Sequence, residues 1–225
     1  MFSYYSDHLS AQRLQRCYDL APPRVKQYLE AEVHHVVKRI KESDLVLELG
    51  CGYGRILSAL AAKAKRVVGI DTSIASLRLG RELLDPDRNC ILAASQAAQL
   101  CFPDRMFDVV VCVQNGISAF HVDQRKLIGE SIRVTKRGGM ILFSSYSEKF
   151  WNDRMQWFRL QAEAGLLGEI DGEKTKDGVI VCKDGFTATT VSADRFLQLT
   201  DGLDVDVKTI EVDASSLFCE MIRRK

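Results

Sequence analysis

"VLELGCGYGR", residues Val46 to Arg55, is an apolar run that closes on three glycines separated by single residues, with one carboxylate inside it. It reads as a buried strand passing through a glycine turn into a helix near 55–63, where Ile56, Leu57 and Leu60 share a face. The pattern around it repeats that unit. "RVVGI" (66–70), "CILAA" (90–94), "FDVVVCV" (107–113) and "MILFSS" (140–145) read as four more strands, with helical patterns near 73–84 and 123–134 between them. Strands alternating with helices predict a parallel sheet covered on both faces, and the nearly continuous apolar character of "FDVVVCV" fits a strand buried on both sides. Thr72 or Ser73 supplies an N-cap for the second helix, and Asp85-Pro86-Asp87 its stop. "KRGG" (136–139) is expected as a turn whose glycines follow a helix end.

Outside this core the pattern changes. "EKFWNDRMQWFRLQAEAGLL" (148–167) is an amphipathic helix, and "DGEKTKDGVIVCKDGFTATTV" (171–191) carries three Asp-Gly pairs around β-rich runs, which predicts hairpins. A short helix "SADRFLQL" and two strands, "VDVKTIEV" and "SLFCEMIRR", close the chain. Ahead of the first strand, residues 4–40 are helical in pattern, broken into two helices at Pro22-Pro23. They hold four of the six tyrosines and three of the four histidines. The expected organisation is a helical cap or lid over 1–40 and one domain over 41–225, with an insertion at about 147–191.

Composition narrows the function. With 225 residues and 46% hydrophobic content the chain can bury one sizeable core. Its 31 basic and 30 acidic residues are interspersed, which leaves no electrostatic footprint for a nucleic-acid backbone. No apolar stretch reaches the roughly 18 residues a membrane span needs, and "MFSYYSDHLS" does not read as a signal peptide. A cytoplasmic protein acting on a small molecule, with neither nucleic acid nor membrane as partner, is the expectation. Seven cysteines without paired CxxC spacing, mostly within apolar runs (Cys90, Cys112, Cys219), read as buried thiols rather than a disulfide frame or a zinc site. No metal is expected.

In an open parallel sheet, ligands bind beyond the carboxyl ends of the strands where strand order reverses. Gly50, Gly52 and Gly54 fall there, and without side chains they let the backbone approach a ligand closely. Asp71 closes the second strand, where an acid can accept hydrogen bonds from both hydroxyls of a ribose. The alternative is a carboxylate stabilised by the N-terminus of the next helix. A dinucleotide fingerprint requires G-x-G-x-x-G, and here glycine arrives one residue early. Glu48, two positions before the first glycine, would face a pyrophosphate with like charge. It favours a cationic ligand instead, such as the ammonium-bearing tail of a sulfonium nucleoside.

"VLELGCGYGR" followed by "VVGIDTS" resembles motifs I and II of the class I S-adenosylmethionine-dependent methyltransferases. The likeness continues through "AQLCFPDRMFDVVVCVQNGI" and "IRVTKRGGMILFSS" and covers about residues 40–146. It implies the α/β, Rossmann-like class I methyltransferase fold: a mostly parallel seven-stranded sheet with helices on both faces, here with a helical N-terminal cap and a β-hairpin insertion after strand five. It implies S-adenosyl-L-methionine as cofactor and S-adenosyl-L-homocysteine as product. Glu48 sits at the motif's acid. Gly50, Cys51, Gly52 and Gly54 form the turn along the methionine moiety, Asp71 would hold the ribose, and Thr72 with Ser73 would lie near the adenosine. The family's aspartate after the third strand falls on Gln96, followed by Ala97. An amide there is a neutral acceptor for the adenine amine, weaker than a carboxylate. Gln114 and Asn115 occupy the place that lines the methyl-transfer opening.

Methyl transfer from a sulfonium is an in-line displacement that needs orientation and exclusion of water more than a protein nucleophile. A base is required only where the acceptor must lose a proton. Candidates are His121, past the fourth strand, and His8 on the cap, since histidine titrates near neutrality. His121 reads equally as a cap for the helix near Asp123, and His34 and His35 read as structural. Tyr4, Tyr5, His8 and Tyr18 are candidate substrate contacts that close an aromatic wall over the sulfonium. Phe150, Trp151, Trp157 and Phe158 face the same region or fill the core, and Tyr146, just past the fifth strand, is a candidate substrate contact or catalytic group. Two other readings stay open: a catalytically silent S-adenosylmethionine-binding or regulatory protein, and an NAD-dependent oxidoreductase on a similar sheet.

Overall fold

The computed structural model describes residues 4–85 and 89–225. Three helices, α1 (Tyr4–Asp7), α2 (Gln12–Asp19) and α3 (Pro23–Val37), precede β1 (Leu45–Leu49). The chain then runs through α4 (Leu57–Ala61), β2 (Arg66–Asp71), α5 (Ile74–Leu83), β3 (Cys90–Ala94), β4 (Phe107–Cys112), α6 (Gly116–Ala119), α7 (Gln124–Val134) and β5 (Thr135–Tyr146). A 3-10 turn (Glu148–Phe150) leads into α8 (Trp151–Glu163), the hairpin β6 (Ile180–Val181) and β7 (Thr187–Ala188), α9 (Ala193–Thr200), β8 (Val205–Val212) and β9 (Ser216–Arg223). Among the described residues the main sheet has seven strands in the order β3-β2-β1-β4-β5-β9-β8. β9 is antiparallel to both neighbours, and the other ladders are parallel. This is the expected Rossmann-like arrangement. β1 pairs with β2 on one side and β4 on the other, so the order reverses beside β1, where a crevice opens beyond the strand ends.

Period-two alternation sets which face each strand residue takes. In β1 and β4, Val46, Val109 and Val111 pack with Val36, Leu57, Leu60 and Leu77 from α3, α4 and α5. Their neighbours Leu47, Val110 and Cys112 pack with Ile128, Ile132 and Phe196 from α7 and α9 on the opposite face. A third apolar cluster lies at the end of β5: Cys17, Tyr28 and Leu29 of the N-terminal helices meet Tyr146, Trp157, Phe158 and Phe186. The N-terminal helices and residues 147–191 thus pack on each other as well as on the sheet.

Local chemistry accounts for most boundaries. Pro22 and Pro23 separate α2 from α3, with Pro22 as N-cap and Pro23 in the first turn, where no donor is lost. A further break falls between α1 and α2, at Ala11, whose φ is +50°. Ser73 caps α5 by accepting from the Ser76 N–H (3.1 Å), whereas Pro86 and Asp87 of the expected stop lie outside the described residues. "KRGG" is not a turn: β5 starts directly after α7, and Gly138 (φ +74°) and Gly139 lie inside it, at a register shift between Phe107 and Val109. A Cβ on Gly139 would sit 2.8 Å from the Asp108 carbonyl, so the bare glycine lets the two backbones close over the bulge. Asp177-Gly178 forms a two-residue turn with both φ positive (+52° and +78°), as an Asp-Gly hairpin requires. Cys101 is exposed and Cys90 half-buried; the other five thiols are buried. Among the described residues no helix is long and apolar enough to cross a membrane.

Candidate functional site

The glycine turn is built by positive φ at Gly50 (+72°), Gly52 (+55°) and Gly54 (+83°), accessible to glycine without strain. The N–H groups of Gly50 and Cys51 both donate to the Ile70 carbonyl (2.8 and 2.9 Å), which pins the turn to the end of β2. The Asp71 carboxylate completes the tie: Oδ2 accepts from the Gly52 N–H (2.9 Å) and Oδ1 from the Ser73 N–H (2.7 Å). Burial pushes its pKa up, and the N–H donors of Ser73, Gly52 and Thr72 oppose that.

A cavity of about 310 Å³ opens over this turn. Of the residues singled out from sequence, Gly50, Gly52, Asp71, Thr72 and Ser73 line it. Gln96 and Ala97 after β3, and Gln114 and His121 after β4, line it as well. Tyr5, Tyr18 and Tyr146 belong to its walls together with Trp157 and Phe158.

Six candidates fall outside the lining. The Cys51 side chain packs with Leu57 in the core cluster beneath the turn, and Gly54 faces Leu57 and Leu84. Asn115, in the left-handed region, is a clamp: its Nδ2 donates to the Thr189 carbonyl (2.7 Å) and its Oδ1 accepts from Ser145 Oγ (2.8 Å). Tyr4 donates to Asp184 Oδ2 (2.5 Å) on the insertion, and the His8 ring packs on Tyr4. Glu48 is 5% exposed, and its Oε2 has no hydrogen-bond partner among the described residues. Burial, with Asp71 adding to it and Arg55 opposing it, raises Glu48 to about 8. Of the aromatic residues on the 3-10 turn and α8, Phe150 and Trp151 are also outside the lining. His121 does not cap α7: Asp123 Oδ1 accepts from the Lys126 N–H (2.7 Å), which leaves the His121 side chain exposed at the cavity with φ +50°.

Three buried polar groups escaped the sequence reading. Glu32 of α3 accepts from the Gln114 N–H (3.0 Å) and from Ser216 Oγ (2.5 Å), holding the segment after β4 against the cap. The Tyr18 hydroxyl lies 2.6 Å from the Gln114 amide; with the amide oxygen turned to Arg55, Gln114 donates to Tyr18 and accepts from the guanidinium, which itself lies 4.9 Å from the Tyr18 ring centre. On α8, Arg154 and Gln161 are fully buried or nearly so. Each of these polar residues shares a helix face with core residues, Glu32 with Val25, Tyr28, Leu29 and Val36, and that misplacement on an apolar stripe is the signal that marks them. α2 lies over the cavity. A Cβ on Gly52 would meet Leu14 at 3.0 Å, the Ala11 N–H donates to Ser76 Oγ (2.9 Å), and Trp157 Nε1 donates to the Cys17 carbonyl (2.8 Å).

Residues 46–139, which include the glycine turn and the strands flanking the crevice, match the family model described as a methyltransferase domain. Over that span the chain is similar to the methyltransferase-domain family, and its seven-stranded sheet has the fold of the class I S-adenosylmethionine-dependent methyltransferase family. S-adenosylmethionine is the cofactor of that family. A 2-methyl-6-phytyl-1,4-hydroquinone methyltransferase of Synechocystis sp. is 28% identical over 137 residues, 57% of this chain and 42% of that protein. The chain therefore spans less than half the length of this curated relative. A possible histamine N-methyltransferase of Thermotoga maritima shares the fold with a TM-score of 0.66 at 16% identity, over 99% of this chain and 100% of that one. An N-methyltransferase of Bradyrhizobium japonicum, solved with S-adenosyl-L-homocysteine, superposes with a TM-score of 0.59 at 16% identity, over 96% and 100% of the two chains.

Proposed function

We propose that this chain binds S-adenosylmethionine along the rim formed by β1, β2 and β4 and transfers its methyl group to a small-molecule acceptor by in-line displacement. The observation that carries this reading is one cavity lined by two chemically different groups: a glycine turn with Asp71, Thr72, Ser73 and Gln96, and an aromatic cluster that includes Tyr18 of α2 and Trp157 and Phe158 of α8. Its volume of about 310 Å³ suits small ligands. The Synechocystis relative, whose name gives a hydroquinone as acceptor, supports the same class.

The residues fit the cofactor. Glu48 offers a buried oxygen without a partner, which an ammonium group would satisfy. Gly50 and Gly52 leave bare backbone where side chains would collide with Phe120 and Leu14. Asp71 spends one lone pair of each oxygen on the turn and keeps acceptor capacity for ribose hydroxyls. Gln96 and Ala97 would meet the adenine, with Thr72 and Ser73 beside the nucleoside. When bound, the cofactor supplies a methyl group activated by its sulfonium. The chain's part is to hold the acceptor atom in line, exclude water and receive a proton where the acceptor releases one. His121, exposed at the cavity, is the group proposed for that proton. Tyr146, pushed up to about 12 by burial, stays protonated at neutral pH and acts as a hydrogen-bond donor. Residues 1–40 form the proposed lid.

Asp71→Ala tests the assignment. Calorimetry should show S-adenosylmethionine binding lost in a variant that keeps the parent circular dichroism; unchanged affinity refutes the role. Turnover is read by supplying the protein and cofactor with a metabolite mixture and searching for a mass gain of one methylene.

A further inference from the structure

We propose that the acceptor is a flat, uncharged aromatic molecule with a hydrogen-bonding group at its edge, and that the Gln161 side-chain amide reads that edge. The inference rests on the cofactor assignment above and extends it to the aromatic cluster lining the same cavity.

Three observations converge. Tyr5, Tyr18, Tyr146, Trp157, Phe158 and Phe186 form that cluster, a wall suited to ring faces. Gln161 lines the cavity too; it is 3% exposed, and its side-chain amide makes no hydrogen bond with any described residue. A ligand that displaces solvent from this amide must pair with its donor and acceptor or leave them unsatisfied at a cost, and so the amide discriminates between ligands that do and do not. Finally, the aromatic cluster offers no counter-charge. Its ionisable groups, Tyr5, Cys17, Tyr18 and Tyr146, are all pushed up by burial and hold their protons.

Two positive charges lie one layer behind the rings, Arg55, whose guanidinium is 4.9 Å from the Tyr18 ring centre, and Arg154. Arg154 stacks on Tyr146 (4.3 Å to the ring centre) and Phe158 (5.5 Å), and it donates to the carbonyls of Gly178 (2.9 Å) and Ala188 (2.8 Å). No carboxylate pairs with it among the described residues, so its field opposes a cationic acceptor. An anionic acceptor would need direct contact to recover its hydration, and the ring wall stands between. A neutral ring is what remains.

The test measures binding to the protein saturated with S-adenosylhomocysteine, read by fluorescence of Trp151 and Trp157. The probes are 1-naphthol, its saturated analogue decahydro-1-naphthol, protonated 1-naphthylmethylamine and 1-naphthoate. Expected is that 1-naphthol binds at least tenfold more tightly than each of the other three. Gln161→Met should weaken 1-naphthol about tenfold, while leaving S-adenosylhomocysteine affinity unchanged; Gln161→Leu serves if the first variant fails to fold. A charged or saturated probe binding as well as 1-naphthol, or none binding, overturns the acceptor class. Equal 1-naphthol affinity in the folded variant overturns the role of Gln161. Failure of S-adenosylhomocysteine to bind the parent protein fells the cofactor assignment first and this inference with it, an outcome distinct from the others.

Discussion

Glu48 is held in an environment that suits a ligand better than it suits the free fold. In the unfolded chain its carboxyl titrates near 4.5, and in the fold near 8. Between those values the folded chain keeps a proton that the unfolded chain has released, so stability falls as pH rises through that window, by about 1.4 kcal/mol per pH unit. Glu48→Gln escapes this loss. Urea unfolding should find the variant more stable than the parent by a few kcal/mol at about pH 9 and little different at about pH 4.5. The same substitution should weaken S-adenosylmethionine at least tenfold, since an amide cannot balance an ammonium charge; undiminished affinity measured by calorimetry removes Glu48 from the proposed site. At this scale the sequence exposed what spacing encodes, namely the carboxylate, the glycines and Asp71. It concealed Glu32, Arg154 and Gln161, because a polar residue on a helix looks solvent-facing until the buried face is known. It also left open how Asp71 is used: the two backbone donors it accepts come from residues 19 and 2 positions away, a pairing that only the folded turn creates.

Elements were easier to read than their ends. Every strand of the main sheet is visible as a short β-rich run, since burial on both faces leaves little choice of residue in the central strands and the edge strands β3 and β8 keep β-branched residues. The start of β5 was not, because a left-handed glycine inside a bulged strand is the same letter as one that ends a helix. Two glycines separate these roles experimentally. Gly139→Ala places a methyl against the Asp108 and Lys136 carbonyls, backbone that cannot swing aside, and should cost about 1–3 kcal/mol. Gly129→Ala, within α7 and with nothing inside 4 Å of the new carbon, should stabilise by about 0.5–1 kcal/mol through helix propensity. Denaturant unfolding of the pair checks both signs; a neutral Gly139→Ala would mean the bulge relaxes freely.

For the whole molecule, alternation of strand and helix sufficed to foresee a parallel sheet, and motif order sufficed for its topology. How the N-terminal helices pack was beyond reach, because their contacts lie far along the chain, 65 positions for Ala11 to Ser76 and 140 for Trp157 to the Cys17 carbonyl. That packing has a kinetic corollary. α2 rests over the cavity through Leu14 on the glycine turn, through Ala11 on Ser76 and through Cys17 on Trp157. On the proposed function, product leaves past that helix, and its opening displaces solvent. Turnover, once an acceptor is in hand, should slow in proportion to the microviscosity set by added sucrose and be indifferent to a polymeric thickener. A rate deaf to sucrose would put the slow step in methyl transfer itself.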